Sequence, residues 1–598
     1  MSGFIVLLRQ PLLVGFSAGL AISLAACNAT TSEVPAKPAP PAVLNDAALH
    51  EQLNEPQVQP AVQEKADMAP RANSLAKDKA EASVVGKMAA SAELKKPLQS
   101  MSAPISIAPA PADNVAGYQD VYREQYQKLA SNPVLAVAEQ PVSTFSIDVD
   151  TGSYANVRRF LNDGSLPPKE AVRLEELVNY FPYNYPVAQG DSPFGVSTEL
   201  APSPWHAGSQ LLRVAIKASD LQVAELPPAN LVFLVDVSGS MDRRDGLPLV
   251  QSTLKLLVEQ LRPQDRVALV TYAGDAQVVL ASTSGREKAK IRAAIDQLAA
   301  GGSTAGESGI QLAYQQAQLG LVSKGINRIL LATDGDFNVG ISDFDSLKQL
   351  AAEKRKTGVS LTTLGFGTDN YNEQLMEQLA DAGDGNYAYI DNLREARKVL
   401  VDQLASTLAT VASDVKIQIE FNPAQISEYR LLGYENRALK REDFSNDKID
   451  AGEIGAGHTV TALYEIVPVG AKGWLEPLHF DHSKQPQAKA GELAWLRLRY
   501  KAPQQQQSKL LEVPIKAATG PDSIAQASED LRFAAAVAAF AQQLTGGQYT
   551  GSFSLADSAT LARGAKGEDR FGLRAEFVQL VELAQSLQTP ATVLTKAD

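Results

Sequence analysis

The sequence predicts a doubly wound α/β domain with a mostly parallel sheet, inserted into an antiparallel β domain and followed by a helical C-terminal region. Three observations carry that expectation. Between residues 225 and 410, short apolar runs alternate with stretches of helical period, the pattern of a parallel sheet covered by helices on both faces. On either side of that stretch the hydrophobic period is two, as in half-buried antiparallel strands. Beyond about residue 517 the helical period returns.

A chain of 598 residues is too long for one core. Residues 1–26 set Arg9 before an apolar run, PLLVGFSAGLAISLAA, that ends on small residues. This is a secretory signal pattern, and its apolar core is short for a transmembrane span. The run closes on Leu24, Ala25, Ala26 and Cys27, the single cysteine of the chain. An exported body that begins there has neither disulfides nor a cysteine metal site. Residues 27–115 are rich in Ala, Pro, Gln, Lys and Ser and nearly free of aromatics, so a disordered tether is expected.

Residues 116–224 should be helical first and then form strands. Tyr118, Tyr122 and Tyr126 recur every four residues, a helical stripe. FSIDVDTGSY (145–154) reads as a strand ending at Val149, then a turn in which Asp150 or Thr151 caps a helix over 153–162. FGVSTELA and QLLRVAIKA, within 194–218, read as strands.

In the inserted domain, LVFLVD (231–236) is apolar without a break, suited to a strand buried on both faces. A helix over 247–261 follows, then the strands RVALVTY (266–272) and AQVVLAS, and helices through REKAKIRAAIDQL and QLAYQQAQ. The strand RILLATD (328–334), a helix over 342–356, the strand VSLTTLGFG and a helix from Asn372 come next. NYAYI and a last helix from Leu393 to about Thr410 complete it. Residues 411–516 carry VKIQIEF, TVTALYEIV, LAWLRLRY and KLLEVPI. These strands are expected to pair with those of 194–218 as one discontinuous sandwich. Residues 517–598 hold two helices, EDLRFAAAVAAFAQQL and LRAEFVQLVELAQSL.

Three loops of the inserted domain carry the chemistry. DVSGS contains Asp236, Ser238 and Ser240; GGSTAG contains Ser303 and Thr304; TDGD contains Asp334. In an open parallel sheet the loops after the carboxyl ends of the strands gather at one edge, where ligands bind. Asp236, Ser238, Ser240, Thr304 and Asp334 would then meet as hard oxygen donors, without His or Cys. Such a set suits Mg²⁺, with Mn²⁺ or Ca²⁺ as alternatives, and not zinc or copper. So few anionic ligands leave the ion positive, able to take a carboxylate from a partner. Asp336 and Asn338 follow and read as surface loop residues.

DVSGS, the Thr304 after Gly-Gly-Ser, and TDG together resemble the metal-ion-dependent adhesion site of von Willebrand factor type A (vWA) domains, over about residues 228–410. The resemblance implies a doubly wound, Rossmann-like fold. It also implies that Ser238, Ser240 and Thr304 hold the metal directly or through water, that Asp236 and Asp334 anchor it, and that a partner's acidic residue completes its shell. LAAC resembles the lipobox of bacterial lipoproteins, which implies that Cys27 is acylated and becomes the N-terminus. Asn28 after it tilts the expected location towards the outer membrane, facing the periplasm. The segment TFSIDVDTGSYANVRRFLNDGSLPP…RLEELVNYFP, the type A domain and the tail together resemble a group of bacterial lipoproteins. These join a shared N-terminal region to a type A domain and a C-terminal domain of unknown function.

Other functions are opposed by the sequence. A net charge of −13 disfavours nucleic acid, and no P-loop or G-x-G-x-x-G precedes a helix, so no nucleotide is expected. DTGS resembles the catalytic loop of pepsin-like proteases, but the second loop needed for a carboxylate pair is missing. A G-x-S-x-G nucleophile elbow is absent, and His206, His458, His479 and His482 lie outside the three loops. No base is evident beside Asp236 and Asp334 for a metal hydrolase. The expected function is a non-enzymatic, membrane-tethered, metal-dependent module that binds a protein partner. The alternative is an envelope scaffold whose metal site is vestigial. Action beside a chaperone-type ATPase is disfavoured by export, since ATP is scarce outside the cytoplasm.

Overall fold

A computed structural model describes residues 124–588, apart from 148, 189, 191, 303–305, 336–343, 369–370, 477–490, 504 and 518–519. The expected signal peptide, Cys27 anchor and tether lie outside the described residues, as do Tyr118 and Tyr122. The chain enters through two short strands, β1 (Leu135–Ala136) and β2 (Val142–Ser146), and two helices, α1 (Gly152–Asn162) and α2 (Leu174–Asn179). The antiparallel pair β3 (Phe194–Pro202) and β4 (Gln210–Ala218) follows.

The inserted domain then runs β5 (Ala229–Asp236), α3 (Leu247–Gln260), β6 (Arg266–Tyr272), β7 (Ala276–Ser284), α4 (Lys288–Asp296), α5 (Gly306–Leu319) and β8 (Ile326–Thr333). It continues through α6 (Phe344–Arg355), β9 (Ser360–Gly365), α7 (Glu373–Ala382), β10 (Tyr387–Tyr389), α8 (Leu393–Arg397) and α9 (Leu404–Leu408). Its strands form one sheet in the order β10-β9-β8-β5-β6-β7, parallel except for β7 at the edge. β5 lies at the centre and is buried along its whole length. Because its side chains alternate between faces, Leu231, Phe233 and Val235 pack with Leu254 and Leu257 of α3. Val232 and Leu234 pack on the other face with Ile310 and Ala313 of α5. An unbroken apolar run is therefore what a central strand of this sheet requires.

The chain returns through β11 (Thr410–Phe421), β12 (Ile426–Leu432), β13 (Ile454–Gly455), β14 (Thr459–Pro468), β15 (Glu492–Lys501) and β16 (Ser508–Lys516). One sheet, β1-β12-β14-β4-β3, joins strands from before and after the insertion, with Val214 of β4 opposite Ala462 of β14. The second, β13-β11-β15-β16, is joined by β2 alongside β11. The two sheets share a core that includes Ile216, Tyr464, Ile419 and Leu496. Helices α10 (Glu529–Leu544), α11 (Leu555–Arg563) and α12 (Leu573–Gln588) close the chain. Phe533 and Phe577 from these helices pack with Leu177 of α2 and with Leu211 and Leu463 of the first sheet. That sheet is thus covered on one face by strands and on the other by helices.

Four local expectations are corrected. The spacing of the tyrosines gives no helix over 124–134. Gln125 instead pairs with Asn372 in an extended segment, and Tyr126 donates its hydroxyl to Glu124 at 2.7 Å and accepts from Asn156 at 2.8 Å. The strand of FSIDV ends at Ser146, where its pairing with β11 stops. Neither Asp150 nor Thr151 caps α1, which starts at Gly152. The Asp150 carboxylate is turned into the inserted domain and the β domain, accepting from Tyr387 N at 2.8 Å and from Arg437 Nη2 at 3.2 Å. The last helix of the insertion is broken by a π turn over Lys398–Asp402, and Thr410 already belongs to β11.

The glycine of DTGS is a packing requirement. A Cβ on Gly152 would lie 2.5 Å from Cζ of the buried Tyr387, and closer still to Cε1. Ala at this first helical position gains at most about 1 kcal/mol of helix propensity, whereas overpacking a fixed ring costs ~1–3 kcal/mol. Gly152→Ala is therefore expected to destabilise the protein, read as a lower urea midpoint. An unchanged or higher midpoint would show that Tyr387 yields without cost.

Arg158, nearly two turns further along α1, ties three parts of the chain together. It is 1% exposed. Its Nε donates to Asp391 at 2.8 Å, Nη2 to Glu395 at 2.8 Å, and Nη1 to the Tyr180 hydroxyl at 2.8 Å and to Glu576 at 3.3 Å. Those partners belong to the inserted domain, the segment after α2, and α12.

Candidate metal centre

β5 and β8 are neighbours from which the chain winds to opposite sides of the sheet. The crevice between their carboxyl ends is the topological switch point of the domain, where open α/β sheets bind ligands. Asp236 is the last residue of β5, and Asp334 follows β8 directly. Both are buried. From Asp236 the chain turns through Ser238 into a short 3₁₀ turn, Gly239–Met241, anchored by the fully buried Met241.

Backbone bonds bring the loops together. Val237 N donates to Tyr272 O at 3.0 Å, Gly301 N to Val237 O at 2.7 Å, and Gly239 N to Gly302 O at 3.1 Å. The GGSTAG loop is thereby seated against DVSGS at its first two residues. Ser303 and Thr304 themselves lie outside the described residues, as do Asp336 and Asn338. Beyond Asp334, Gly335 holds φ +81° and sits so close to Asn372 that a Cβ would come within 2.9 Å of its backbone nitrogen. Only glycine meets both demands without strain.

The side chains present an all-oxygen surface. The Ser238 and Ser240 hydroxyls are 3.0 Å apart. Asp236 accepts from Ser238 N at 2.9 Å, from the Thr333 hydroxyl at 2.9 Å and from the Tyr272 hydroxyl at 3.3 Å. All three donors are neutral. Burial first, and the neighbouring Asp334 second, push the Asp236 carboxyl up to about 6. The Asp236 carboxylate among neutral donors, the buried Asp334 near it and a hydroxyl pair fit a hard divalent cation, which would offset the charge that burial disfavours. Among the described residues no group of three or more His, Cys, Asp or Glu side chains is placed to hold a metal ion, so a zinc-type cage is a different arrangement from this one. Of the described histidines, His206 stacks on Trp474 and His458 joins the turn before β14; neither bonds a residue of the site. His479 and His482 lie outside the described residues.

Three residues around the site escape a motif reading. Thr333 holds Asp236 and also accepts from Gly335 N at 3.0 Å, linking the two acidic loops. Tyr272 ends β6, so the rule that strand ends face the ligand edge could have found it. Arg243 donates to Thr368 O at 2.8 Å and to Asp245 at 2.9 Å, clamping the first loop to the one after β9. It carries no signal beyond following DVSGSM in the chain.

Comparison with known proteins agrees with this architecture. The von Willebrand factor type A domain family matches residues 230–403, a second von Willebrand factor family matches 120–213, and the family described as "Uncharacterized protein YfbK, C-terminal" matches 406–587. The chain is 52% identical over 472 residues to the YfbK protein of Escherichia coli K12, covering 77% of this chain and 81% of that protein. It is 34% identical over 187 residues to the Synechocystis protein sll0103, covering 31% of this chain and 43% of that one. A von Willebrand factor type A structure from Catenulispora acidiphila aligns at 17% identity over 65% of this chain and 91% of its own, with a TM-score of 0.35.

Proposed function

The chain belongs to the YfbK family, a vWA domain joined to the YfbK C-terminal domain, and on that premise we propose that it is a non-enzymatic, metal-dependent module for binding a protein partner. Domains of the vWA type mediate protein–protein contacts, often through a divalent cation. In this reading Asp236, Asp334, Ser238, Ser240 and Thr304 hold Mg²⁺, with Mn²⁺ or Ca²⁺ as alternatives. The bound cation would supply an electrophilic point for an acidic side chain of the partner. Thr333 and Tyr272 keep Asp236 oriented, and Arg243 fixes the rim. Neither nucleic acid nor nucleotide is a ligand. The tether ends at an acylated Cys27, which holds the module in the bacterial envelope, at the outer membrane and facing the periplasm.

One observation carries the proposal: Asp236 is 0% exposed and its hydrogen-bond partners are all neutral. A carboxylate in that position is costly unless a cation joins it. The test is cross-linking in intact cells, comparing wild type with Asp236→Ala. A partner captured by wild type and lost in the variant supports the reading. Equal capture, together with a melting temperature that Mg²⁺ leaves unmoved, would reduce the domain to a scaffold with a vestigial site.

A further inference from the structure

A cavity of 480 Å³, lined by no residue of the metal loops, lies where the segment after α2, the end of β4, α8–α9 and the turn before β14 meet the start of α12. Its size is that of a small-molecule site, and such sites favour junctions of this kind. The polar wall is basic. Lys217, Arg394, Arg397 and Lys398 line it against Asp220 and Asp402, in a chain whose net charge is −13. Three of the four cations have an acid already: Lys217 with Asp220 at 3.3 Å, Arg394 with Glu576 at 3.1 Å, and Lys398 with Glu395 at 3.3 Å. Arg397 is exposed and has no ion-pair partner among the described residues.

His458 lines the same cavity, and its Nδ1 is buried without a hydrogen-bond partner among the described residues. Burial, then Lys398, push its imidazole down to about 4, so it is neutral at physiological pH and able to share a proton with a ligand. Phe181 and Phe571 supply an apolar wall, and Phe571 is 42% exposed. An exposed aromatic ring beside an unpaired guanidinium suits a ligand with both an apolar and an anionic part.

We propose that this cavity binds a small organic oxyanion carried on an apolar group, with Arg397 contacting the anion and Phe571 the apolar part. The site is independent of the metal centre. Binding is therefore measured on the full-length protein in EDTA, by calorimetry and by melting temperature, with phenyl phosphate as the probe. Saturable binding is expected, with inorganic phosphate and benzyl alcohol, each bearing half of the chemistry, weaker by about tenfold or more. Arg397→Glu should weaken phenyl phosphate by about tenfold or more. Arg286→Glu, the same charge change at an exposed arginine outside the cavity, should leave it unchanged. Melting temperatures without ligand report that both variants fold. Equal binding by wild type and Arg397→Glu, equal weakening by Arg286→Glu, equal affinity for inorganic phosphate, or no saturable binding would each overturn the proposal.

Discussion

Asp334→Asn is expected to abolish the Mg²⁺ response of the protein while leaving the metal-free form at least as stable as wild type. A cation that binds only the folded state stabilises it by about 2.7 kcal/mol at a hundredfold excess over Kd. The variant forfeits that stabilisation because it removes one of two anionic ligands. The metal-free protein responds in the opposite sense. Asp236 is pushed up from 3.8 to about 6, by burial and then by Asp334. A carboxyl raised on folding contributes stability that is complete below about pH 4 and is lost as pH rises through about 6, here roughly 3 kcal/mol. Deleting the Asp334 charge recovers part of that loss, so at pH 7 in EDTA the variant should match or exceed wild type. At pH 4 the two should converge. Urea midpoints with EDTA and with Mg²⁺, at both pH values, measure every term. A variant that keeps the Mg²⁺ shift, or that is much weaker than wild type in EDTA, would contradict the account.

Arg158→Met should be the most damaging single substitution outside the site. Removing one member of a buried ion cluster typically costs ~3–5 kcal/mol, because the remaining charges stay buried without compensation. Asp391 would lose its two-pronged partner, and Glu395 would keep Lys398 at 3.3 Å and the Tyr180 hydroxyl at 2.6 Å. The double variant Arg158→Met, Asp391→Asn should recover much of the loss, since a neutral amide at 391 needs no counter-charge and Glu395 keeps Lys398. Urea midpoints of the two variants decide it. Failure of the double variant to recover would mean that Arg158 acts through packing on Tyr154 and Tyr180 rather than through charge.

The inserted domain was legible because its central strands are buried on both faces. Leu231 to Val235 is apolar whichever face is considered, and that continuity survives without tertiary knowledge. The candidate site was placed for a related reason. Asp236, Ser238, Ser240 and Asp334 lie on loops whose position at the strand ends follows from topology alone. Thr304, the fifth residue of that expectation, lies outside the described residues. Residues whose roles depend on distant partners were not legible. Asp150 looks like a helix cap because a turn precedes a helix, yet it bonds Tyr387 and Arg437, far along the chain. Tyr126 looks helical at a spacing of four, yet its partners Asn156 and Glu124 hold it in an extended segment. Arg158 has no local signature, since its acids come from two other parts of the fold.

The pairing of β4 with β14 also constrains the order of events during folding. Val214 and Ala462 are opposite one another in the finished sheet, yet the whole inserted domain lies between them in the chain. Closing so large a loop while it is unstructured is entropically unfavourable and slow. The inserted domain can gain its own core first, from contacts internal to it, and so shorten the effective loop. Until β14 is made and docked, β4 has only β3 beside it, leaving an open edge with apolar residues at Leu212, Val214 and Ile216. That edge is the point at which an emerging or unfolding chain is most exposed to pairing with another copy of itself.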